Sequence, residues 1–423
     1  MSSPPRIAIV GGGPGGLTVG LLLHRRGILS TIFELRQKPT DEELAKPSGM
    51  LDLHKESGLA AIRECELYDQ FLQLTGECSE AQKVSDKDGN ILHQDEGELS
   101  DRPEISRHAL TKLLSSHLPA ENIKYGYKLY SATSISTPNG TETELDFGPN
   151  GKQRFDLVIG ADGAWSQVRN MLSDIKPQYA GIQNITTTFR HVSTKYPHLA
   201  ELVGPGSFAA LAFRHGVMSQ RGPQDVARIF IFLTTPDEHL PVSAGLAGRA
   251  ASDAKELLLN NDEFLGRFGP KIRELVSVAC DEETNDNPGA ALDIRPLYTL
   301  PIGVSWEHKP NATLIGDAAH LMCPWAGEGV NLAMWDSLLL AHAIIKAYHA
   351  AKDQGASFQS ELDPLMKEFE DEMFVRTKEK AKETYSNGQM MFGEDGATAF
   401  RDFFRAIYSQ NEGKETLEAI RAA

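Results

Sequence analysis

The sequence predicts an α/β protein built on a Rossmann-like dinucleotide-binding domain, with an antiparallel β-sheet domain and a helical C-terminal segment. Three observations support this fold class. A glycine-rich turn follows a short apolar run at residues 7–10, a second apolar run ends at Glu34, and residues 179–294 change to a β-rich, alternating pattern. The first two features are typical of a strand–turn–helix–strand unit, and the third is typical of an antiparallel sheet.

The opening segment, RIAIVGGGPGGLTVGLLLHRRGILSTIFEL, carries the pattern G-x-G-x-x-G at Gly11, Gly13 and Gly16. Gly11 permits the tight turn, Gly13 lets the backbone approach a pyrophosphate, and Gly16 lets the helix pack closely on the strand. We predict that the helix starts at Pro14 and that its free N–H groups face the phosphates. Glu34 ends the second strand, where an acid accepts hydrogen bonds from ribose hydroxyls. This pattern alone leaves FAD and NAD(P) both open.

Two later segments place an acid after a predicted strand. In RFDLVIGADGAWSQVR, a strand over residues 155–159 leads into a turn that contains Asp162, and a helix is expected near Ser166. In LIGDAAHLMCPWAGEGVNLAMW, a short strand ends just before Asp317. Ligands bind at the carboxyl ends of parallel strands, so we expect both acids to line one cofactor crevice with the glycine-rich turn.

These three segments, in this order, resemble the group A flavoprotein monooxygenases, which share the p-hydroxybenzoate hydroxylase (PHBH) fold. That family carries a glycine-rich opening, an Asp-Gly segment in mid-chain, and a Gly-Asp pair followed by a proline, here Gly316, Asp317 and Pro324. The resemblance implies a GR2-type FAD-binding domain and non-covalent FAD, with Asp317 holding the ribityl chain.

A G-x-G sequence then opens an apolar helical pattern that is expected to run to about Tyr348. By the same resemblance, the N-terminus of this helix faces the pyrimidine edge of the flavin. Unpaired N–H groups and the helix dipole stabilise the negative charge of a reduced flavin there. The residues expected at this end of the cofactor are Pro324, Gly327, Gly329, Val330 and Asn331.

A second resemblance, scattered over nearly the whole chain, is to the tetracycline-inactivating monooxygenases of the Tet(X) type. It rests on GMLDLHKESGLAAI (49–62), DRPEISRHAL (101–110), TPDEH (235–239) and FEDEMFVRTKEKAKE (369–383). The resemblance implies that Asp52 and Arg107 contact FAD. Lys46, about one position out of the family's register, and Arg36 are the basic candidates for contacts with NADPH.

The chemistry that the resemblance implies needs no catalytic side chain, because the cofactor carries it. NADPH or NADH reduces FAD, O₂ adds at C4a, and the resulting C4a-hydroperoxyflavin transfers an oxygen atom to an electron-rich carbon. Only one dinucleotide fingerprint is present, so NAD(P)H is expected to bind transiently. The substrate is expected to be a polycyclic phenol or enol, either tetracycline-like, which makes antibiotic resistance a possible role, or a polyketide aromatic. The candidate substrate residues are Arg190, Phe213, Arg228, Phe230 and Trp325.

Two alternatives stay open. A flavin oxidase or dehydrogenase would act on a similar substrate without transferring oxygen, and a dinucleotide sensor would not be an enzyme. His320 is interpreted as a buried structural residue, with a catalytic base as the alternative. No His-Glu-x-x-His motif is present, so we expect no metal site.

Bulk composition limits the class of partner. With 42 Lys and Arg against 58 Asp and Glu, the net charge is −16, which gives no electrostatic case for nucleic acid or an anionic membrane. No run approaches the ~20 apolar residues of a membrane span, and the four cysteines show no C-x-x-C spacing. We expect a cytoplasmic monomer whose partners are a small-molecule substrate and O₂.

The predicted domains are discontinuous. The FAD-binding domain covers 1–75, 104–178 and 295–350, and the substrate-binding sheet domain covers 76–103 and 179–294. Residues 351–423 form a C-terminal helical segment that is expected to brace both domains. Within the sheet domain, Asp88-Gly89 predicts a hairpin, and helices are expected from about residue 251 to 280.

Overall fold

The computed structural model describes residues 4–75, 79–97, 102–137 and 140–407. The chain divides into two compact units. The first contains Met1–Gly76, Asp101–Gln178 and Tyr298–Tyr385, and the second contains Glu77–Ser100, Tyr179–Leu297 and Ser386–Ala423. The domain boundaries given above stay a prediction, and residues 408–423 of the C-terminal segment lie outside the described residues.

A five-stranded parallel sheet forms the centre of the first unit. Three of its strands, Ile7–Val10, Leu157–Gly160 and Ala312–Leu314, are fully buried, as expected where a parallel sheet is covered on both faces. Ile7 lies opposite Leu157 on one side and Ser30 on the other. The strand order is Ala312–Leu314, Leu157–Gly160, Ile7–Val10, Ser30–Glu34 and Ile123–Tyr125. This arrangement confirms the Rossmann-like half of the predicted fold class.

Helices and smaller sheets complete the first unit. Met50–Asp52 pairs with Glu104–Ser106, and a three-stranded antiparallel sheet consists of Ser131–Thr137, Gly140–Asp146 and Lys152–Phe155. Short 3₁₀ turns lie at Ala120–Asn122 and Gly148–Asn150. The α-helices are Pro14–Arg25, Asp41–Ala45, Gly58–Glu64, Tyr68–Leu72, Arg107–Ser116, Arg169–Leu172, Asp317–His320, Gly329–Gln354 and, beginning in this unit, Phe358–Met391.

Three details of the first unit differ from the sequence prediction. The strand expected over 155–159 is two strands in different sheets, separated at Asp156, whose carboxylate accepts from the N–H of Arg6. The helix expected near Ser166 begins at Arg169, because Asp162 accepts from the N–H groups of residues 167 and 168 and holds a turn there. The helix expected to end near residue 348 continues to Gln354.

The Gly329–Gln354 helix is the one helix in the described ranges that is long and apolar enough to cross a membrane by length and composition. Its apolar residues include Leu332, Met334 and Leu340, which belong to the same buried cluster as the parallel strands or are buried beside it. The helix packs against Pro14–Arg25. A helix that is buried in the core of a water-soluble fold is also long and apolar, because it packs against other elements on most of its surface.

A seven-stranded sheet forms the second unit. Its order is Asp293–Thr299, Gln178–Phe189, Val226–Thr234, His215–Gly222, Ser207–Ala212, Gln82–Ser85 and Ile91–Asp95. From Gln178–Phe189 to Ile91–Asp95, neighbouring strands are antiparallel except for the parallel pair of Ser207–Ala212 with Gln82–Ser85. The predicted hairpin is confirmed, with Gly89 at a φ of +83° in its turn.

One face of this sheet is covered by helices. Ile185, Ile229 and Ile231 belong to a buried cluster with Leu258 and Leu275, which lie on two helices. The stretch expected to be helical over 251–280 is therefore two helices, because residues 261–269 contain two glycines and precede Pro270. The helices of this unit are Val192–Lys195, Pro197–Val203, Leu240–Ser243, Ala251–Asn260 and Pro270–Asp286, with further helical residues at 396–407.

Candidate cofactor site

The glycine-rich turn combines close packing with open space. A Cβ on Gly11, whose φ is +114°, would lie 2.1 Å from the carbonyl oxygen of Ala161. A Cβ on Gly16 would lie 2.0 Å from the carbonyl oxygen of Gly11. At Gly13, the residue that caps the first helix, no other heavy atom lies within 4 Å of that position. Two glycines therefore let the chain pack on itself, and the third leaves room beside the helix N-terminus.

Glu34 lies beside this turn. One carboxylate oxygen accepts from the N–H of Gly12 at 2.7 Å, and the other accepts from the N–H of Arg36 at 2.9 Å. A carboxylate has about four acceptor positions, so Glu34 keeps capacity for two ribose hydroxyls. The side chain of Arg36 is exposed, and so is that of Lys46, whose carbonyl oxygen lies 3.0 Å from a ring nitrogen of His108.

The Asp-Gly turn and the Gly-Asp turn are connected by a buried arginine that the sequence analysis missed. Arg169 donates to the carbonyl oxygen of Ala164 at 2.6 Å and to that of Ala318 at 2.9 Å. One oxygen of Asp162 is buried without a hydrogen-bond partner among the described residues, and burial raises the pKa of this carboxyl. Arg169 was hard to identify from the sequence, because an arginine just after a turn is ordinarily a surface residue.

Asp317 begins a short helix at the end of the edge strand. Its side chain is exposed to solvent, yet protein surrounds it closely enough that desolvation raises its pKa, against the opposing charges of His320 and Arg107. A group that is both crowded and open to solvent lies in a concave part of the surface. Asp317 is therefore accessible to a ligand.

Arg107 is the positive charge that acts on Asp317. It is the first residue of a helix whose N-cap is Ser106, which accepts from the N–H of Ala109 at 3.1 Å. The N–H of Arg107 donates to the carbonyl oxygen of Gly49 at 2.9 Å. Its guanidinium is exposed and has no hydrogen bond or ion pair within the described ranges. The two side chains are thus close enough to interact electrostatically, although 210 positions separate them in the sequence.

Asn331 connects the long helix to the segment that contains Asp52. Its amide oxygen accepts from the N–H of His54 at 2.8 Å, and its amide nitrogen donates to the carbonyl oxygen of Asp52 at 2.9 Å. The same nitrogen lies 3.3 Å from the carbonyl oxygen of Gly327. The ring of His54 is buried, with one nitrogen 3.0 Å from the Asp52 carboxylate. Asn331 and Asp52, both predicted site residues, therefore belong to one cluster.

The start of the long helix is open. No other heavy atom lies within 4 Å of a Cβ placed on Gly329, the first helical residue. Val330 is half-buried, Pro324 is exposed, and the carbonyl oxygen of Pro324 accepts from the N–H of Gly327. Trp325, a predicted substrate residue in this unit, is half-buried. The free N–H groups of the helix therefore face space that a ligand can enter.

His320 is buried, and its Nε2 lies 2.6 Å from a carboxylate oxygen of Asp336. The structure supports the interpretation of His320 as a structural residue. Asp336 was not singled out from the sequence. The sequence does contain an indication of its importance, because Asp336 is a charged residue inside an otherwise apolar helical pattern.

The substrate candidates of the second unit fall in different places. Arg228 and Phe230 lie on the same face of the Val226–Thr234 strand, opposite the face that carries Ile229 and Ile231 into the helix-covered core. Phe232 continues this face, with its ring 6.3 Å from that of Phe230. The guanidinium of Arg228 lies 5.8 Å from the centre of the Phe230 ring. We call Arg228, Phe230 and Phe232 the aromatic face.

Two other candidates lie away from the aromatic face. Arg190 makes an ion pair with Asp286 at 3.1 Å. Phe213 packs against the helix-covered core, with the guanidinium of Arg267 3.6 Å from its ring centre and Phe268 edge-on at 6.1 Å. Of the substrate residues predicted in this unit, the structure brings Arg228 and Phe230 together.

The residues present fit a flavin dinucleotide. Helix N-termini open at Gly13 and Gly329, Arg107 has a free guanidinium, and Asp317 and Glu34 are acceptors for hydroxyl groups. The described residues contain no group of three or more His, Cys, Asp or Glu that could hold a metal ion. Fold and site together define a Rossmann-type dinucleotide-binding protein.

Comparison with known proteins gives the family. The family model described as "FAD binding domain" (FAD_binding_3) matches residues 5–237 and 306–372. The chain is 34% identical over 424 residues to the monooxygenase penA of Penicillium thymicola, and the match covers 93% of this chain and 96% of that protein. The chain therefore belongs to the FAD-binding family, and it is a group A FAD-dependent aromatic monooxygenase.

Solved structures show the same fold at lower identity. HpxO of Klebsiella pneumoniae, solved with FAD and uric acid, is 16% identical and superposes with a TM-score of 0.71, covering 95% of this chain and 92% of that one. The tetracycline destructase Tet(55) is 18% identical with a TM-score of 0.61, covering 94% of this chain and 98% of that one.

Proposed function

We propose that this monooxygenase hydroxylates a planar, electron-rich phenol or enol, with NAD(P)H as the reductant and O₂ as the oxidant. The balanced reaction consumes the substrate, NAD(P)H, a proton and O₂, and it yields the hydroxylated product, NAD(P)⁺ and water. The observation that carries the substrate class is the aromatic face, where Arg228 lies beside Phe230. A polycyclic phenolate, tetracycline-like or derived from an aromatic polyketide, combines the flat ring and the negative charge that such a face can bind.

FAD would be held by residues of the first unit. Gly11, Gly13 and Gly16 shape the turn at the pyrophosphate, and Glu34 accepts from the adenosine ribose. When bound, FAD supplies hydride acceptance from the nicotinamide and activation of O₂ for transfer of one oxygen atom.

At the flavin end, the protein's contribution is to bind and orient. Asp317 accepts from the ribityl hydroxyls, and the positive charge of Arg107 attracts the anionic part of the cofactor. The helix N-terminus at Gly329 stabilises negative charge on the ring through its free N–H groups. Asp52 and Asn331 keep this helix start in place through the hydrogen bonds described above.

The aromatic face would orient the substrate. Arg228 is oriented by a 3.3 Å hydrogen bond that its guanidinium donates to the hydroxyl of Thr188. Phe230 is only half-buried, so its ring can stack on a flat ligand. The ligands and substrates in the names of the similar structures, uric acid and tetracycline, support a planar ring bearing polar groups as the substrate class here.

The test is substrate-stimulated oxidation of NADPH and of NADH by the purified holoenzyme under ¹⁸O₂. A tetracycline, a hydroxylated polycyclic polyketide and a simple phenol form the panel. We expect faster oxidation with a polycyclic phenol and one ¹⁸O atom in its product. Stimulated turnover without ¹⁸O in the product would make the protein an oxidase or dehydrogenase, and the absence of stimulation by every compound would overturn the proposed substrate class.

A further inference from the structure

Asp336 is a fully buried carboxylate in the Gly329–Gln354 helix. One of its oxygens accepts from the N–H of Gly316 at 3.0 Å and lies 2.6 Å from Nε2 of His320. The other oxygen accepts from the guanidinium of Arg376 at 2.8 Å. A buried charge is stable only when hydrogen bonds and opposite charges compensate its lost hydration, and Asp336 has both.

The contacts of Asp336 bracket Asp317. Gly316 immediately precedes Asp317 and has a φ of +59°, a conformation that favours glycine. His320 is the last residue of the single-turn helix that Asp317 begins. A carboxylate that holds residues 316 and 320 fixes both ends of the turn, and it thereby fixes the direction in which the Asp317 side chain points.

The surroundings of Asp336 favour its ionised form. Burial alone would raise its pKa, but His320, Arg376 and the N–H of Gly316 together hold the pKa below the usual value for an aspartate. The guanidinium of Arg376 also lies 4.6 Å from the ring centre of Trp335, so it is fixed on two sides.

We propose that Asp336 is a positioning residue for FAD. It fixes the geometry of the Gly316–Asp317 turn without touching the cofactor. The inference rests on the proposed role of Asp317 as an FAD contact. It extends that role, because Asp336 lies on the same helix whose start at Gly329 faces the flavin. One helix would therefore fix both the N–H groups at the ring and the carboxylate at the ribityl chain.

Glu370 provides a matched control. It is a buried carboxylate of the same unit, and it accepts from Trp306 at 3.2 Å and Thr313 at 2.7 Å and lies 2.7 Å from a ring nitrogen of His308. Through Thr313 it holds the strand that leads towards the Gly-Asp turn, but it makes no hydrogen bond to residues 316–320 in the described part of the chain. Glu370→Gln therefore alters a buried carboxylate of the same unit without removing a hydrogen bond to the turn.

The experiment compares FAD affinity with stability in the full-length chain. Asp336→Asn, Glu370→Gln and Asp317→Ala are stripped of flavin, and each apoprotein is titrated with FAD by fluorescence and melted thermally. We expect Asp336→Asn to weaken FAD binding about tenfold or more, because a displaced Asp317 loses its proposed hydrogen bond, as a charged acceptor, with the ribityl chain. Glu370→Gln should lower the melting temperature and change the FAD dissociation constant less than about twofold, because distant sites act independently.

Other results distinguish the possible failures. If Asp336→Asn binds FAD like wild type while Asp317→Ala loses it, the inference about Asp336 is wrong and the proposed site stands. If Asp317→Ala also binds FAD normally, the proposed site itself is wrong. If Glu370→Gln weakens FAD as much as Asp336→Asn, both carboxylates act only through overall stability, and the positioning role is overturned.

A second pair of variants keeps the test decisive if Asp336→Asn does not fold. His320→Gln places an amide nitrogen near the position of the imidazole Nε2, whereas His320→Ala leaves Asp336 without that contact. We expect His320→Ala to weaken FAD binding and His320→Gln to recover most of the affinity. Equal FAD affinity in the two variants would contradict the inference, since the contact with Asp336 would then have no influence on the cofactor.

Discussion

We call the proposed cofactor residues of the first unit the cofactor half and the aromatic face of the second unit the substrate half, and the two are built differently. In the first unit, Gly11 and Gly16 let the chain pack closely at the end of the first strand, and Gly13 leaves room beside a helix N-terminus. In the second unit, Arg228 and Phe230 are side chains on a regular strand, Val226–Thr234, whose backbone is like that of any paired strand. The first half depends on backbone conformation, and the second depends on side-chain identity.

This difference explains why the two halves leave different traces in a sequence. A backbone conformation that only glycine adopts, or an approach that only glycine permits, restricts the residue type to one. A planar substrate can be met by many combinations of aromatic and basic side chains. The cofactor half can therefore be recognised from sequence motifs, whereas the substrate half is marked only by its content of aromatic and basic residues.

The largest effect is expected at Gly11. Gly11→Ala puts a Cβ about 2 Å from a backbone oxygen at a positive φ, so we expect a loss of about 3 kcal/mol or more in unfolding free energy. Gly13→Ala meets no protein atom within 4 Å, so it should leave the apoprotein's stability nearly unchanged and weaken FAD binding instead. Chemical denaturation of both apoproteins and FAD titration measure this. Equal loss of stability in the two variants would break the distinction between packing glycines and a ligand-facing glycine.

The next effect is expected at Asp317. Asp317→Ala removes an acceptor for the ribityl hydroxyls, and such bonds contribute roughly 1.5–3 kcal/mol, so FAD binding should weaken about tenfold or more. Because desolvation raises the pKa of this carboxyl, removing it should not destabilise the apoprotein. Flavin content by absorbance is the measurement, with thermal melting as the control for folding. Full FAD occupancy in the variant would remove Asp317 from the cofactor half.

A smaller effect is expected at the aromatic face. Phe230→Ala and Arg228→Gln should each raise KM for a phenolic substrate about five- to thirtyfold, the equivalent of about 1–2 kcal/mol for a cation–aromatic contact, and leave FAD content unchanged. Arg221→Gln is the matched control, because Arg221 lies on the neighbouring strand and pairs with Asp225 at 2.6 Å. Steady-state kinetics decide the point. An unchanged KM in both variants would place the substrate elsewhere, with Arg190 and Phe213 as the next candidates.

The smallest effect is expected at His308, away from the proposed site. Burial lowers its pKa, but contacts with Asp363 and Glu370 more than compensate and raise it above the usual value. A raised pKa in the folded state means that this stabilisation is fully present below about pH 6.5, the unfolded value, and is lost as the pH rises through the folded pKa. Melting temperatures from pH 6 to 9 should fall by about a few degrees in wild type and less in His308→Gln. Parallel pH curves for the two proteins would show that His308 makes no such contribution.

Much of the first unit could be predicted from the sequence because its signals are local. The strand–turn–helix–strand order from Ile7 to Glu34 is confirmed, and in the second unit so is the hairpin at Gly89, whose signal is equally local. Asp156 interrupts the apolar run, but its role in ending one strand was not predictable, because Arg6, whose side chain pairs with Asp156, lies 150 positions away. The cofactor and substrate residues stay predictions, and the structure adds where they lie.

The connecting residues could not be predicted for a related reason. Arg169 and Asp336 act through carbonyl oxygens and N–H groups of segments remote in sequence, and a backbone group gives no sign in a sequence of which side chain will meet it. Asp336 alone left a trace, as the charged member of an apolar helix. A charged residue at a buried helical position indicates a partner, but not which one.

The strand order of the parallel sheet has a consequence for how the protein is made. Ile7–Val10 pairs with Leu157–Gly160, which in turn pairs with Ala312–Leu314. The central strands of the sheet therefore cannot pair fully until segments much later in the sequence have been synthesised. At about 5–20 residues per second, the edge strand leaves the ribosome roughly 15–60 s after the first strand. For about the first half of that interval the glycine-rich turn exists without Ala161, and for all of it the turn exists without Asp317 or the helix that begins at Gly329. The proposed FAD site is therefore complete only after most of the chain has been translated.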